Sequence, residues 1–174
     1  MDTRDHVRVT NPGMIKIIGI GQSLRGDDAL GLEAVRLWQE KYQNKLARPD
    51  VVAELAELPG TGLLDLIEGA QTVIFVDAVY SGAAPGTIHR LVEDEISAFS
   101  GGSGSAHGWG VAETISLGRQ IMPGSMPEKL ILIGIEAGQL KLGDTLSPEV
   151  KSALPEVARL IEQYIETIIA NGPD

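Results

Sequence analysis

The side chains best suited to chemistry in this sequence are four carboxylates and one imidazole, each placed near the end of a strand or the start of a helix. The acids are Asp28, Glu57, Asp77 and Glu136, and the imidazole is that of His107. Carboxylate oxygens and an imidazole nitrogen together suit a borderline divalent metal such as Ni, Zn, Mn or Fe. Charges at the ends of apolar strands are costly unless they are paired or bind a metal. For any single acid, the alternative is that the strand has already emerged into water.

Two adjacent aspartates, Asp27 and Asp28, follow the glycine-rich stretch GIGQSLRG of residues 19–26. This stretch superficially resembles a dinucleotide-binding G-x-G-x-x-G turn, but Leu24 replaces the third glycine. A helix N-terminus favours a phosphate, and two aspartates there would repel it. One aspartate could instead cap the helix and the other could interact with its positive end. Two adjacent acids exceed what capping requires, so we predict a chemical role for Asp28.

The histidine of interest is His107, in the segment SAHGWG of residues 105–110, between a glycine-rich loop and a predicted helix. A lone loop histidine is more often a surface residue than a ligand. Here the flanking glycines allow close approach of another backbone, and Trp109 needs a packing partner. His6 lies in the polar N-terminal stretch and His89 in a predicted edge strand. Only His107 therefore lies where a site is expected.

Composition excludes several classes of function. The chain has no cysteine, which removes thiolate metal sites, disulfides and cysteine nucleophiles. It has no G-x-S-x-G or HExxH motif, so the motifs that carry the catalytic residues of serine hydrolases and thermolysin-type hydrolases are missing. The net charge of −10 argues against a nucleic-acid partner. The N-terminus lacks a signal-peptide pattern and the apolar runs are too short to span a membrane, so we expect a cytoplasmic protein without a membrane partner.

Hydrophobic patterning predicts strands that alternate with helices. The strands are expected at residues 14–21, 51–58, 72–79, 86–92 and 129–137, with the fourth at a sheet edge. Helices are expected at residues 28–42, 63–67, 111–121 and from Ser147, the N-cap, to the C-terminus, with Pro155 kinking or splitting the last one. This alternation predicts an α/β protein, a three-layer α/β/α sandwich with a mostly parallel sheet.

The predicted strand ends locate the site. We expect residues 14–170 to form a single α/β domain after a disordered segment, residues 1–13, because 174 residues suit one domain. In open α/β folds, ligands bind beyond the carboxyl ends of the strands. Those ends include Asp77 and Glu136, so the chemistry should lie at this edge of the sheet.

Seven short motifs follow one another between about Ile15 and Pro155. They are GIGQSLRGDDALG, GTGLLDL, IFVDAV, APGT, SAHGWGVAE, GIE and LSPEV. In this order they resemble the hydrogenase maturation protease family. The resemblance implies an α/β/α fold with a five-stranded sheet, and we expect this sheet to be mostly parallel with one antiparallel edge strand. It also implies an endopeptidase that removes the C-terminal extension of a [NiFe]-hydrogenase large-subunit precursor after nickel insertion.

The resemblance also implies which side chains contact metal. The family positions are an acid in the G-D-D stretch, an acid before the G-T stretch and the histidine of the S-x-H stretch, which correspond to Asp28, Glu57 and His107. Glu57 is one residue before the aligned position, which holds a leucine; Asp77 and Glu136 are the alternatives. The metal is the nickel of the substrate and acts as a recognition signal, so we expect no tightly bound cofactor.

The residues leave the chemistry of cleavage open. Asp28 and Asp77 are the candidate catalytic residues, because a carboxylate near the scissile bond can act as a general base. One alternative is a metal-dependent amidase or peptidase that uses its own bound metal to activate water. Another is a non-catalytic α/β module that binds a nucleotide or docks to a hydrogenase without cutting it. Stoichiometric metal that survives a chelator would favour the metal-dependent hydrolase.

Overall fold

The centre of the fold is a mostly parallel sheet. The computed structural model describes residues 13–42, 48–57, 60–99, 110–138 and 145–172. Within these ranges the strands are β1 (Ile15–Gly21), β2 (Val51–Glu57), β3 (Thr72–Val79), β4 (Ile88–Val92) and β5 (Lys129–Glu136). The five strands are ordered β2-β1-β3-β5-β4. Every neighbouring pair is parallel except β4 and β5, which confirms the predicted antiparallel edge strand.

Helices lie on both faces of this sheet. In the described ranges they are α1 (Leu30–Lys41), α2 (Leu63–Ile67), α3 (Glu93–Phe99), α4 (Val111–Ile121) and α5 (Pro148–Asn171). Helix α3 was not predicted, because its sequence EDEISAF is short and acidic and buries only Ile96. Of the two predicted effects of Pro155, a kink or a split of the last helix, the split is wrong, since α5 is one helix of 24 residues. Pro155 removes a single backbone donor, whereas buried apolar residues before and after it hold the helix against the sheet.

Alternating side chains divide the core into two apolar layers. One layer joins α1 and α5 to strand residues such as Ile15, Ile17, Ile74 and Val76. The other joins α2, α4 and the buried residue of α3 to strand residues such as Ile18, Ile20, Val73 and Phe75. Successive residues of a strand face opposite sides of a sheet, so the period of two explains the division. The result is the predicted three-layer α/β/α sandwich.

Close glycine contacts place α1 directly on the carboxyl half of β1. A Cβ atom at Gly31 would lie 2.2 Å from the carbonyl oxygen of Ile20 and 2.3 Å from that of Val76. A Cβ atom at Gly21 would lie 2.2 Å from the carbonyl oxygen of Asp28. Only hydrogen atoms fit at these two positions. The turn between β1 and α1 is therefore held against the ends of the central strands.

Two predictions about the organisation of the chain are not tested by the described residues. The predicted disordered segment, residues 1–13, lies outside the described ranges except for Gly13. That residues 14–170 form one domain stays a prediction. Within the described ranges, no helix is both long enough and apolar enough to cross a membrane.

We predict that Gly31→Ala destabilises the protein by about 3 kcal/mol or more, because backbone atoms on both sides of the new methyl group leave it no space. Urea unfolding would measure the change. Gly124→Ala is the matched control: Gly124 has open space around its Cβ position and an ordinary φ. Its effect should stay within about 0.5 kcal/mol. Equal losses for the two variants would contradict the close packing of α1.

Candidate active site

The carboxylate of Asp27 is fully buried and joins three segments of the chain. Asp27 lies in a 3-10 turn, Gly26–Ala29, directly before α1. Its Oδ1 atom accepts a hydrogen bond from the backbone N–H of Ser147 at 2.6 Å. Its Oδ2 atom accepts from the Ser147 hydroxyl at 2.8 Å and from the N–H of Gly138 at 2.8 Å. Asp27 thus fixes the residues after β5 and the start of α5 against the β1–α1 turn.

These bonds replace the capping roles considered from the sequence. Neither the 3-10 turn nor α1 has a side-chain hydrogen bond at its N-cap, so Asp27 and Asp28 do not cap α1. Ser147 does occupy the N-cap position of α5, as predicted, with an extended backbone. Its hydroxyl bonds to Asp27 instead of to the helix.

Asp28 and Asp77 form an acidic pair at the carboxyl edge of the sheet. Asp28 is 3% exposed and lies just before α1, and Asp77 is partly buried near the end of β3. Burial raises the pKa of the Asp77 carboxyl well above its usual value, and the nearby charge of Asp28 raises it further. A hydrogen bond of 2.8 Å from the N–H of Ala78 offsets part of this rise. The two carboxylates therefore repel each other when both are ionised.

The hydroxyl of Tyr80 lies near the same acids. It is buried without a hydrogen-bond partner in the ranges that the structure describes. Burial raises the pKa of the Tyr80 hydroxyl, and the charges of Asp28, Asp77 and Asp27 add to the rise. Tyr80 was not among the predicted site residues. Its position three residues after Asp77, where β3 has just ended, was the signal that could have identified it.

Glu57 lies apart from the pair formed by Asp28 and Asp77. It is exposed at the end of β2, and its carboxylate accepts a hydrogen bond from the hydroxyl of Ser23. Strand β1 separates β2 from β3, so the backbones of Glu57 and Asp77 are roughly 9–10 Å apart. Alternation directs Glu57 to the face of α1 and α5, and Asp77 to the face of α2 and α4. The assignment of Glu57 as a metal contact stays a prediction, and this geometry favours Asp77 in its place.

Glu136 has a structural environment. It is 2% exposed, so it has not emerged into water at the end of β5. Its carboxylate accepts hydrogen bonds from the N–H and hydroxyl of Ser81, both at 2.8 Å, and from the N–H of Gly82 at 2.9 Å. His89 Nε2 lies 3.3 Å away. Burial raises the pKa of Glu136, but these hydrogen bonds outweigh it and hold the pKa below its usual value. Glu136 thus anchors the turn after β3.

His107 falls outside the described ranges, so its contact with metal stays a prediction. The helices on either side of residues 100–109 are described. Arg119, near the end of α4, binds Glu93 at the start of α3 through two hydrogen bonds of 2.7 and 2.6 Å. Helix α4 packs on the face of the sheet to which Asp77 is directed. Within the part of the chain that is described, no group of three or more His, Asp or Glu side chains could hold a metal ion.

Comparisons of structure agree with this architecture. The hydrogenase maturating endopeptidase HybD from E. coli superposes with a TM-score of 0.78 at 26% identity, covering 88% of this chain and 93% of that one. A [NiFe] hydrogenase maturation protease, HybD from Thermococcus kodakarensis, has the same fold, with a TM-score of 0.70 at 24% identity over 87% of this chain and 98% of that one. The fold is therefore that of the hydrogenase maturation endopeptidases.

Comparisons of sequence identify the family. The hydrogenase maturation protease family model, HycI, matches residues 58–164. The Hydrogenase 2 maturation protease of Escherichia coli is 30% identical over 158 residues, 90% of this chain and 88% of that protein. The hydrogenase expression/formation protein HoxM of Azotobacter vinelandii is 30% identical over 160 residues, 90% of this chain and 74% of that protein. The chain belongs to the hydrogenase maturation protease family and is a peptide hydrolase.

We predict that Asp27→Asn destabilises the protein by about 2–3 kcal/mol. The amide keeps one acceptor but presents N–H groups where three donors converge, so buried donors lose their partner. Thermal and urea unfolding would measure the loss. Asp65→Asn, at an exposed position of α2, is the matched control and should change stability by less than about 0.5 kcal/mol. An Asp27→Asn protein as stable as the control would disprove the role of Asp27.

We predict the opposite sign for Asp77→Asn, which removes a buried and repelled charge but keeps the acceptor for Ala78. In the wild type, the unfolded chain loses the Asp77 proton near pH 4, whereas the folded state retains it to higher pH. Wild-type stability should therefore fall as pH rises from about 4 through the raised pKa. Asp77→Asn should lack this decline and be about 1 kcal/mol more stable at pH 7. Parallel pH profiles of unfolding free energy for the two proteins would contradict the assignment.

Proposed function

We propose that this chain removes the C-terminal extension from a [NiFe]-hydrogenase large-subunit precursor after nickel has been inserted. Its membership of the maturation protease family supports the class of substrate. The observation that supports the role of nickel is the acidic pair of Asp28 and Asp77 at the carboxyl edge of the sheet. The same membership favours this function over a metal hydrolase of another kind and over a non-catalytic module.

The acidic pair would act as the part of the site that recognises nickel. Repulsion between two carboxylates in a partly buried site makes the free energy of binding a divalent cation more favourable, because the cation removes the repulsion. Oxygen ligands and an imidazole suit a borderline metal such as nickel. We assign Asp28 and Asp77 as the two carboxylate contacts and His107 as the third. The substrate supplies the metal, so a precursor without nickel would lack the ion that these side chains attract.

Cleavage requires a base near the scissile peptide bond. Water attacks the carbonyl carbon when a general base removes its proton, and a carboxylate with a raised pKa is suited to that task. Asp28 and Asp77 are the carboxylates of the proposed site, and bound nickel would lower the pKa that burial and repulsion raise for Asp77 in the free protein. We therefore place the candidate catalytic base at this pair, which makes the enzyme an aspartate-dependent endopeptidase. A cytoplasmic location, as predicted from the N-terminal sequence, belongs to the same proposal.

We predict that Asp28→Asn, Asp77→Asn and His107→Ala each reduce processing of a nickel-loaded precursor by at least tenfold. Loss of one metal contact worth about 1.4 kcal/mol is enough for a tenfold effect. Tail loss would be followed by mass spectrometry. Asp28→Asn and Asp77→Asn should remain folded, because neither side chain lies in the two apolar layers, and circular dichroism would check the fold of all three variants.

The matched control is Glu57→Gln, because Glu57 is exposed and directed to the other face of the sheet. It should process the precursor within about twofold of the wild type, the range of a surface substitution. A loss as large as that of Asp77→Asn would restore Glu57 as a metal contact. A precursor without nickel should remain uncut by every protein in the series. Cleavage of that precursor by the wild type would rule out nickel as the signal.

A further inference from the structure

A cavity of about 560 Å³ opens beside the turn that contains Asp28. On one side, Leu24, Gly26 and Ala29 belong to the β1–α1 turn. On the other, Leu146, Lys151 and Leu154 belong to the start of α5 and the residue before its N-cap. Gly26 and Ala29 directly flank the two aspartates of the turn. The cavity therefore begins at the residues on either side of Asp27 and Asp28, on the side of the turn that faces α5.

The walls of this cavity are mainly apolar. Leu24 is 70% exposed and contributes its side chain to the open side of the cavity. Leu146 is partly buried, and Leu154 forms a buried part of the wall. The volume falls within the range of about 300–1,000 Å³ typical of ligand pockets. A large aliphatic or aromatic side chain would fit there and cover Leu24.

The charges at the rim differ in their partners. Glu33 is paired with Arg36 on the same helix. Lys151 is exposed and makes no ion pair with any residue in the described ranges. It lies in the first turns of α5, where the helix dipole disfavours a cation, in a protein of net charge −10. A carboxylate on a bound partner would pair with Lys151 and relieve that unfavourable position.

We propose that this cavity is the docking subsite for a segment of the hydrogenase precursor that presents a large apolar side chain next to an acidic residue. The apolar side chain fills the space between Leu24 and Leu154, and the carboxylate pairs with Lys151. This inference rests on the proposed function. The cavity would select the precursor by its sequence, and the acidic pair would select it by its nickel.

The experiment compares the kinetics of Lys151→Glu and Leu24→Ser with those of the wild type, using the nickel-loaded precursor. Both variants should raise KM about tenfold and leave kcat within about twofold, because the contact is made equally in the ground state and the transition state. Increasing salt should raise the KM of the wild type and lower that of Lys151→Glu, because it screens an attraction in the first protein and a repulsion in the second. Lys129→Glu, a reversal at the amino end of β5, is the matched control and should keep the wild-type KM.

Equilibrium binding separates this inference from the proposed function. Titration calorimetry would measure the affinity of each protein for the same nickel-loaded precursor. Weaker binding by both cavity variants would support the subsite even if the wild type proved unable to cleave, an outcome that would defeat only the proposed function. If the wild type cleaves and both variants keep its KM and affinity, the subsite is disproved and the function stands. A fall in kcat with unchanged KM would also disprove docking here.

Discussion

The three hydrogen bonds accepted by the buried carboxylate of Asp27 determine the geometry of the carboxyl edge of the sheet. They link the β1–α1 turn to Gly138, after β5, and to Ser147, before α5. Charge-assisted bonds of this kind are stronger than bonds between neutral groups, and none of these donors needs water. Asp28 is the next residue, so its position follows from that of Asp27. The cavity beside the turn depends on the same link, since its two walls come from the segments that Asp27 joins.

The neighbouring pair, Asp28 and Asp77, has the opposite energetic character. Asp27 is satisfied by donors, whereas burial and mutual repulsion disfavour the ionised form of Asp77. A fold tolerates such a pair only where other interactions supply the stability, here the two apolar layers and the close contact of α1 with β1. Strong shifts of pKa of this kind are common at functional sites. Under the proposed function, the adjacent aspartates of one turn have different roles: Asp27 is structural and Asp28 contacts the metal of the substrate.

The sequence predicted the sheet well because its strands are apolar runs bounded by glycine or proline, and their order follows from the alternation with helices. Helix α3 was missed because seven mostly acidic residues give no periodic signal. The site was predicted less completely. Asp28 and Asp77 stood out as acids at element ends, but nothing local revealed that Glu57 faces the other side of the sheet. The partners of Asp27 are 111 and 120 residues away, and long-range bonds of this kind leave no pattern along the chain.

The glycine contact between α1 and the sheet has a consequence for how substrates are discriminated. With backbone atoms at van der Waals distance on both sides of Gly31, the helix cannot slide or tilt to accommodate a ligand. The enzyme therefore meets its substrate with preorganised aspartates, and any adjustment of shape must come from the partner. Under the proposed function, a precursor without nickel would lack the group that these fixed aspartates contact. Selection of precursors for cleavage would then depend on the conformation of the hydrogenase, because the protease does not change shape to fit it.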